Sequence, residues 1–258
     1  MPLKHLIFLV LFYLCGGVFT SFGFLRQKDV GPGYFRIHGM GLSVILFFAY
    51  WFLGRAHLNS DSTLWFSLFL LCTTCFSLLT GVSNKLSAAS FFLGAISFFG
   101  CLTLDISHLT LGGEQLPLAM NSILASGVLG FSMAAMMLGH WYLTQPTLSI
   151  DELKRITLMM ILFLVLRFGF STYQISHLLV GMNEMEIYRY LLKMPGIFVL
   201  MRYVWGILGA LILSFFVWKT VKIRSTQSAT GILYVVVVAC LVGEILSLYL
   251  AFYFGIPL

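Results

Sequence analysis

Charge is what this sequence has least of. Asp, Glu, Lys and Arg together make up 9% of its 258 residues, while 60% are hydrophobic. A soluble domain carries about 25% charged residues, so an ordinary water-soluble globule is excluded. No polar stretch is long enough to fold as a separate soluble unit, and one membrane domain over residues 1–258 is expected. Proline is also scarce, with six in the chain, so little interrupts the long apolar runs. Motifs for soluble catalysis are missing: there is no G-x-x-x-x-G-K-[ST], no G-x-S-x-G and no H-E-x-x-H. The formal charge of +6 comes without a basic patch interleaved with aromatics, which argues against a nucleic-acid partner. The five cysteines (Cys15, Cys72, Cys75, Cys101 and Cys240) all fall within apolar runs, away from the loops where an extracellular disulfide is expected.

What the chain does have is long continuous hydrophobicity. About 20 apolar residues cross the roughly 30 Å of hydrocarbon in a bilayer. Eight segments approach that length: Leu6–Phe24, Ile37–Leu53, Leu64–Leu79, Ala88–Leu109, Leu116–Leu143, Ile156–Val180, Gly196–Trp218 and Gly231–Phe254. Backbone groups in lipid must pair internally, which leaves helices or closed barrels. The runs do not alternate as barrel strands do, so the expected class is all-α, a polytopic bundle of about eight transmembrane helices in a lipid bilayer. The first segment follows Lys4, as a signal peptide does. It is long for one, however, and no A-x-A-like site follows, so a helix is expected there. The connection from Gly181 to Pro195 carries Glu184, Glu186, Arg189 and Lys193, and reads as a short amphipathic helix or ordered loop on the surface.

Loops after odd-numbered spans hold Arg26, Lys28, Arg36, Lys85, Lys154, Arg155, Lys219, Lys222 and Arg224, against Lys4, Arg55, Arg189 and Lys193 on the other side. Positive charge favours the cytoplasm. Both termini are therefore expected outside it, with a bacterial inner (cytoplasmic) membrane as the setting.

Two sets of residues carry chemistry. The first is histidine. His38 and His140 fall near one face, on the second and fifth spans, while His108 and His177 fall near the other, on the fourth and sixth. Two imidazoles from facing helices are what bis-histidine haem ligation needs. Glycines flank His38 and His140, and Arg36 can neutralise a haem propionate. Asp105, three residues before His108, can orient that imidazole. This pattern predicts a b-type cytochrome-like electron-transfer subunit with haem b, working with quinone and other redox or membrane subunits. Interfacial histidines are also ordinary in membrane helices. His5 and His57 read as surface residues.

The second set is buried charge. Arg167, Arg202 and Glu244 lie well inside the sixth, seventh and eighth spans, where a charge is costly unless paired or wetted. Arg167 with Glu244 is the natural pair. This set predicts the alternative, a transporter or channel-like protein with a midplane charged site; a non-catalytic assembly subunit is a third reading. Cys72 and Cys75 form a C-x-x-C on one helical face and read mainly as small packing residues. Met133, Met136 and Met137, on the approach to His140, read as core.

Overall fold

The computed structural model describes residues 3–54, 58, 60–109, 115–145 and 148–256; the side chains of 105–109 and 115 fall outside that description. Among the described residues there is helix and no strand. Among these residues, eight helices are long and apolar enough to cross a membrane: Leu3–Phe24, Pro32–Gly54, Ser60–Leu79, Asn84–Leu104, Leu116–Thr144, Asp151–Leu179, Met194–Lys222 and Thr226–Phe254. The protein is an all-α, polytopic, integral membrane helix bundle. The third span is longer than its hydrophobic run, because the helix begins at Ser60 with Asp61 in its first turn. An acidic residue there complements the positive end of the helix dipole.

With eight consecutive spans, both termini come to one face, and the ring of His5 lies 6.4 Å from that of Phe252. The opposite face is tied together by polar contacts. Buried Glu152 accepts the backbone N–H of Arg26 (3.1 Å) and pairs with Arg155 (3.0 Å), which in turn donates to the Phe24 carbonyl (3.3 Å). The expected surface segment is a helix at Glu184–Leu191. The Glu186 carboxylate accepts the Asn183 backbone N–H at 2.9 Å, as in a capping box.

The first and fifth spans form the centre, each about 78% buried over its apolar window, against about a third for most others. They cross closely at Gly17 and Gly130, where a Cβ on either would collide with the other helix's backbone. Small residues permit such approach where lipid offers no hydrophobic drive for helices to associate. Tyr13 and Ser122 add an interhelical hydrogen bond of 2.9 Å near this crossing.

Around the first span, spans one to four pack through phenylalanine. Phe12 meets Phe66, Phe69 and Phe98, and Phe19 meets Phe69, Phe76 and Phe91, at centroid separations of 5.1 to 6.1 Å. These are the spacings of favourable edge and offset ring pairs. Spans five to eight enclose a polar interior instead. The seventh span carries a π-helical stretch at Arg202–Gly209, an irregularity that often accompanies functional sites.

Candidate functional site

The buried charges converge on one carboxylate. Arg167 (0% exposed) donates from Nε to Glu244 Oε1 at 3.2 Å and from Nη2 to Glu244 Oε2 at 2.6 Å. Arg202 (1% exposed) donates from Nη2 to the same Oε1 at 2.8 Å. Glu244 (0% exposed) is thus bridged by two guanidiniums from different helices. Arg167 also donates to the Asn121 carbonyl (3.3 Å) and to Ser247 Oγ (2.9 Å), and Ser247 donates to Asn121 Oδ1 (3.2 Å). Spans five, six, seven and eight each contribute to this cluster.

Local sequence explains how these groups meet. Glu244 and Ser247 are three residues apart on one helical face. Gly206 and Gly243 bring the seventh and eighth spans into backbone contact: a Cβ on Gly243 would stand 2.7 Å from both Gly206 Cα and Arg202 Nη1. The two glycines therefore make the recess that holds the Arg202 guanidinium. Cys240, fully buried, lies one turn before Glu244 on the eighth span.

The cluster is unbalanced. Two guanidiniums and one carboxylate leave one positive charge in excess. Arg202 Nε and Nη1, Asn121 Nδ2 and Ser171 Oγ, all buried, meet no hydrogen-bond partner among the described residues. A guanidinium has five N–H donors, and three of those on Arg202 are therefore unmatched. Leaving such groups dry costs free energy that native interiors avoid.

Toward the face of the termini, a cavity of about 340 Å³ opens, lined by Pro117, Tyr173, Gln174, His177, Gly255 and Ile256. These positions continue the fifth, sixth and eighth spans outward from Asn121, Ser171 and Ser247. His177 is exposed there, with Tyr173 edge-on at 4.6 Å.

The other histidines are placed as follows. His5, expected at the surface, is instead buried near Phe252 where the first and last spans approach. His38, half-buried, shares a hydrogen bond of 2.8 Å between its Nδ1 and the Tyr34 carbonyl, and its ring lies 4.3 Å from Tyr34 and 6.2 Å from Trp141. His140 is exposed and close enough to His38 to act on it electrostatically. Two of the neighbouring glycines point at other helices, while Gly41 has open space beside it. Gly39 faces Ser77 of the third span, Gly139 faces Thr230 of the eighth, and the Trp141 ring lies beside His38. Arg36 donates from Nε to the Thr80 carbonyl at 2.7 Å. The side chains of His108 and Asp105 lie outside the described residues, as does His57. Cys72 and Cys75 are free thiols, and Cys72 packs where Gly94 admits it. Met133, Met136 and Met137 pack against the core.

Sequence reading brought Arg167 to Glu244 but left Arg202 without a partner. It missed Asn121, Ser171, Ser247 and the Gly206–Gly243 recess. A lone amide early in an apolar span was the available signal for Asn121. Hydroxyls that satisfy themselves on their own helix are too common in membrane spans to single out two serines. No family model matches the chain, and no curated protein or solved structure matches it either.

Proposed function

We propose that the protein is a transporter or channel-like membrane protein whose operative site is the Arg167–Glu244–Arg202 cluster. One observation carries this reading: a completely buried carboxylate is shared by two buried guanidiniums, with an excess positive charge and unmatched donors on Arg202. A clamp that only held helices together would be expected to balance its charges and donors, since residual ones are costly in lipid. A site that exchanges a ligand benefits from that imbalance. The irregular helix at Arg202–Gly209 supports it too, because distorted backbone at membrane depth is tolerated where it lines protein or a cavity. The test is flux. Purified protein in liposomes is expected to move a small solute, and Arg202→Gln is expected to abolish that movement while the protein remains folded. A wild-type protein that passes no inorganic ion, organic acid or amine would overturn the reading.

A second reading is the b-type cytochrome-like subunit, with haem b on His38 and His140, a second on His108 and His177, and quinone and redox subunits as partners. The hydrogen bond that directs Nδ1 of His38 to a backbone carbonyl favours it. A ligating imidazole commonly makes such a bond. A reduced-minus-oxidised absorption spectrum of the purified protein decides it, and a spectrum without a haem band removes it.

In either case we place the chain in a bacterial inner membrane with both termini outside the cytoplasm, on the distribution of loop charge. Cysteines introduced at Ser149 and Ser225 are expected to react only with reagent supplied from the cytoplasm.

A further inference from the structure

We infer that the buried cluster binds a single monovalent anion at Arg202, reached from the face of the termini through the Tyr173–Gln174–His177 cavity. The inference rests on the transporter reading for its setting and adds to it a substrate class and a direction of access.

Charge identifies the class. Arg167, Arg202 and Glu244 sum to one positive charge in a site where each side chain is at most 1% exposed. One monovalent anion neutralises it. A divalent anion would leave the opposite imbalance, and a cation would add to the existing one at the same depth. Hydrogen bonding points the same way. The unmatched atoms at Arg202 are donors only, Nε and Nη1, and Asn121 Nδ2 is a donor as well. Ser171 Oγ can donate or accept. An anion can accept from each of these, whereas among the unmatched atoms only Ser171 Oγ can face a cation.

Placement defines the route. Asn121 lies one turn inward of Pro117, about 6 Å along the fifth span. Ser171 lies about 4.5 Å inward of Gln174 along the sixth. Pro117 and Gln174 line the cavity near the termini, and Arg167 follows one turn inward of Ser171. The two unmatched groups therefore occupy the levels between the cavity and the guanidiniums. His177 and Gln174 at the mouth supply polar contacts there. Gly206 and Gly243 crowd the Arg202 recess with backbone, which favours a compact ion over a bulky one.

The experiment uses the full-length protein in liposomes, with the face of the termini outward. Thiol modification of Ser171→Cys is compared between an anionic and a cationic methanethiosulfonate of similar size, with the unmutated protein as background for its five native cysteines. Electrostatic focusing is expected to make the anionic reagent react faster, by roughly tenfold or more. Chloride or acetate, as separate probes, should slow that reaction, and gluconate, too large for the recess, should not. Protection by chloride alone marks a halide site, and protection by acetate as well marks a site for short carboxylates. In parallel, the melting temperature of the native protein should rise with the protecting anion and lose that dependence in Arg202→Gln. Should Arg202→Gln fail to fold, Gly243→Ala, whose methyl would press on Nη1, is expected to weaken protection instead.

Equal rates for the two reagents, or preference for the cationic one, overturn the inference, and so does labelling untouched by either probe. The transporter reading fails separately. Anion protection without any flux keeps the binding site and discards transport. Flux of a solute with Ser171→Cys indifferent to anions keeps transport and discards this site.

Discussion

Spans one to four and spans five to eight solve the problem of packing in lipid in opposite ways. In the first group the interior is rich in phenylalanine, and rings from Phe12 and Phe19 each meet three from the neighbouring spans. Stabilisation there is spread over many weak dispersion contacts, so no single residue dominates. In the second group stabilisation is concentrated. One carboxylate, Glu244, offsets two arginines, and both depend on it. An aromatic interior offers nothing to a charged or polar ligand. An ionic interior with a surplus of donors can exchange partners, which is why the proposed site lies in the second group.

The largest expected effect follows from that dependence. Glu244→Gln leaves Arg167 and Arg202 buried without a counter-charge. Removing one partner of a buried ion pair costs about 3–5 kcal/mol, and here two pairs are lost together. The protein is expected not to survive purification in detergent, as judged by size-exclusion chromatography. Normal yield and melting temperature would show that the two arginines are compensated in some other way, and the contrast between the groups would collapse.

Phe19→Ala probes the aromatic side. Truncation of a buried phenylalanine costs about 3–5 kcal/mol in a core that cannot relax. A lower melting temperature is expected, with folding retained and the anion response of the cluster unchanged. If that response also disappears, the two groups are not independent.

Gly130→Ala tests the seam between them. The added methyl meets the backbone of Gly17, and overpacking of this kind costs about 1–3 kcal/mol. Thermal unfolding should show the loss. A neutral result would mean the first and fifth spans can separate slightly without penalty.

The smallest effect belongs to Tyr13→Phe. It deletes the hydrogen bond to Ser122 across the same seam, and such bonds between membrane helices average about 0.6 kcal/mol. A loss several times larger would mean that this contact, and not the glycine crossing, holds the centre together.

Reading the sequence located the spans well because hydrophobicity is a property of consecutive residues. The third span shows the limit: its start at Ser60 was hidden, since Ser60 to Thr63 are polar and the helix begins before the apolar run does. The charges between Gly181 and Pro195 marked a surface segment but left helix or ordered loop open, and the structure makes it a helix at Glu184–Leu191. Arg167 and Glu244 were legible as a pair because two opposite charges at membrane depth have few alternatives. Of the glycines beside His38 and His140, Gly39 and Gly139 accommodate Ser77 and Thr230 on neighbouring helices, neighbours that an apolar run does not reveal.

The sequence by itself determined that this chain lives in a bilayer, how many times it crosses, and that three charges sit where only pairing or water makes them tolerable. Those conclusions need only the cost of putting each residue, or each run, into hydrocarbon. Tertiary structure alone decided that Arg202 shares Glu244 with Arg167, that Asn121, Ser171 and Ser247 stand beside them, and that three donors of Arg202 stay unmatched. Each of those depends on how helices distant in the chain rotate and approach one another. That is set by small contacts such as Gly206 on Gly243 and Gly17 on Gly130, and a glycine within an apolar run does not reveal which helix it will meet.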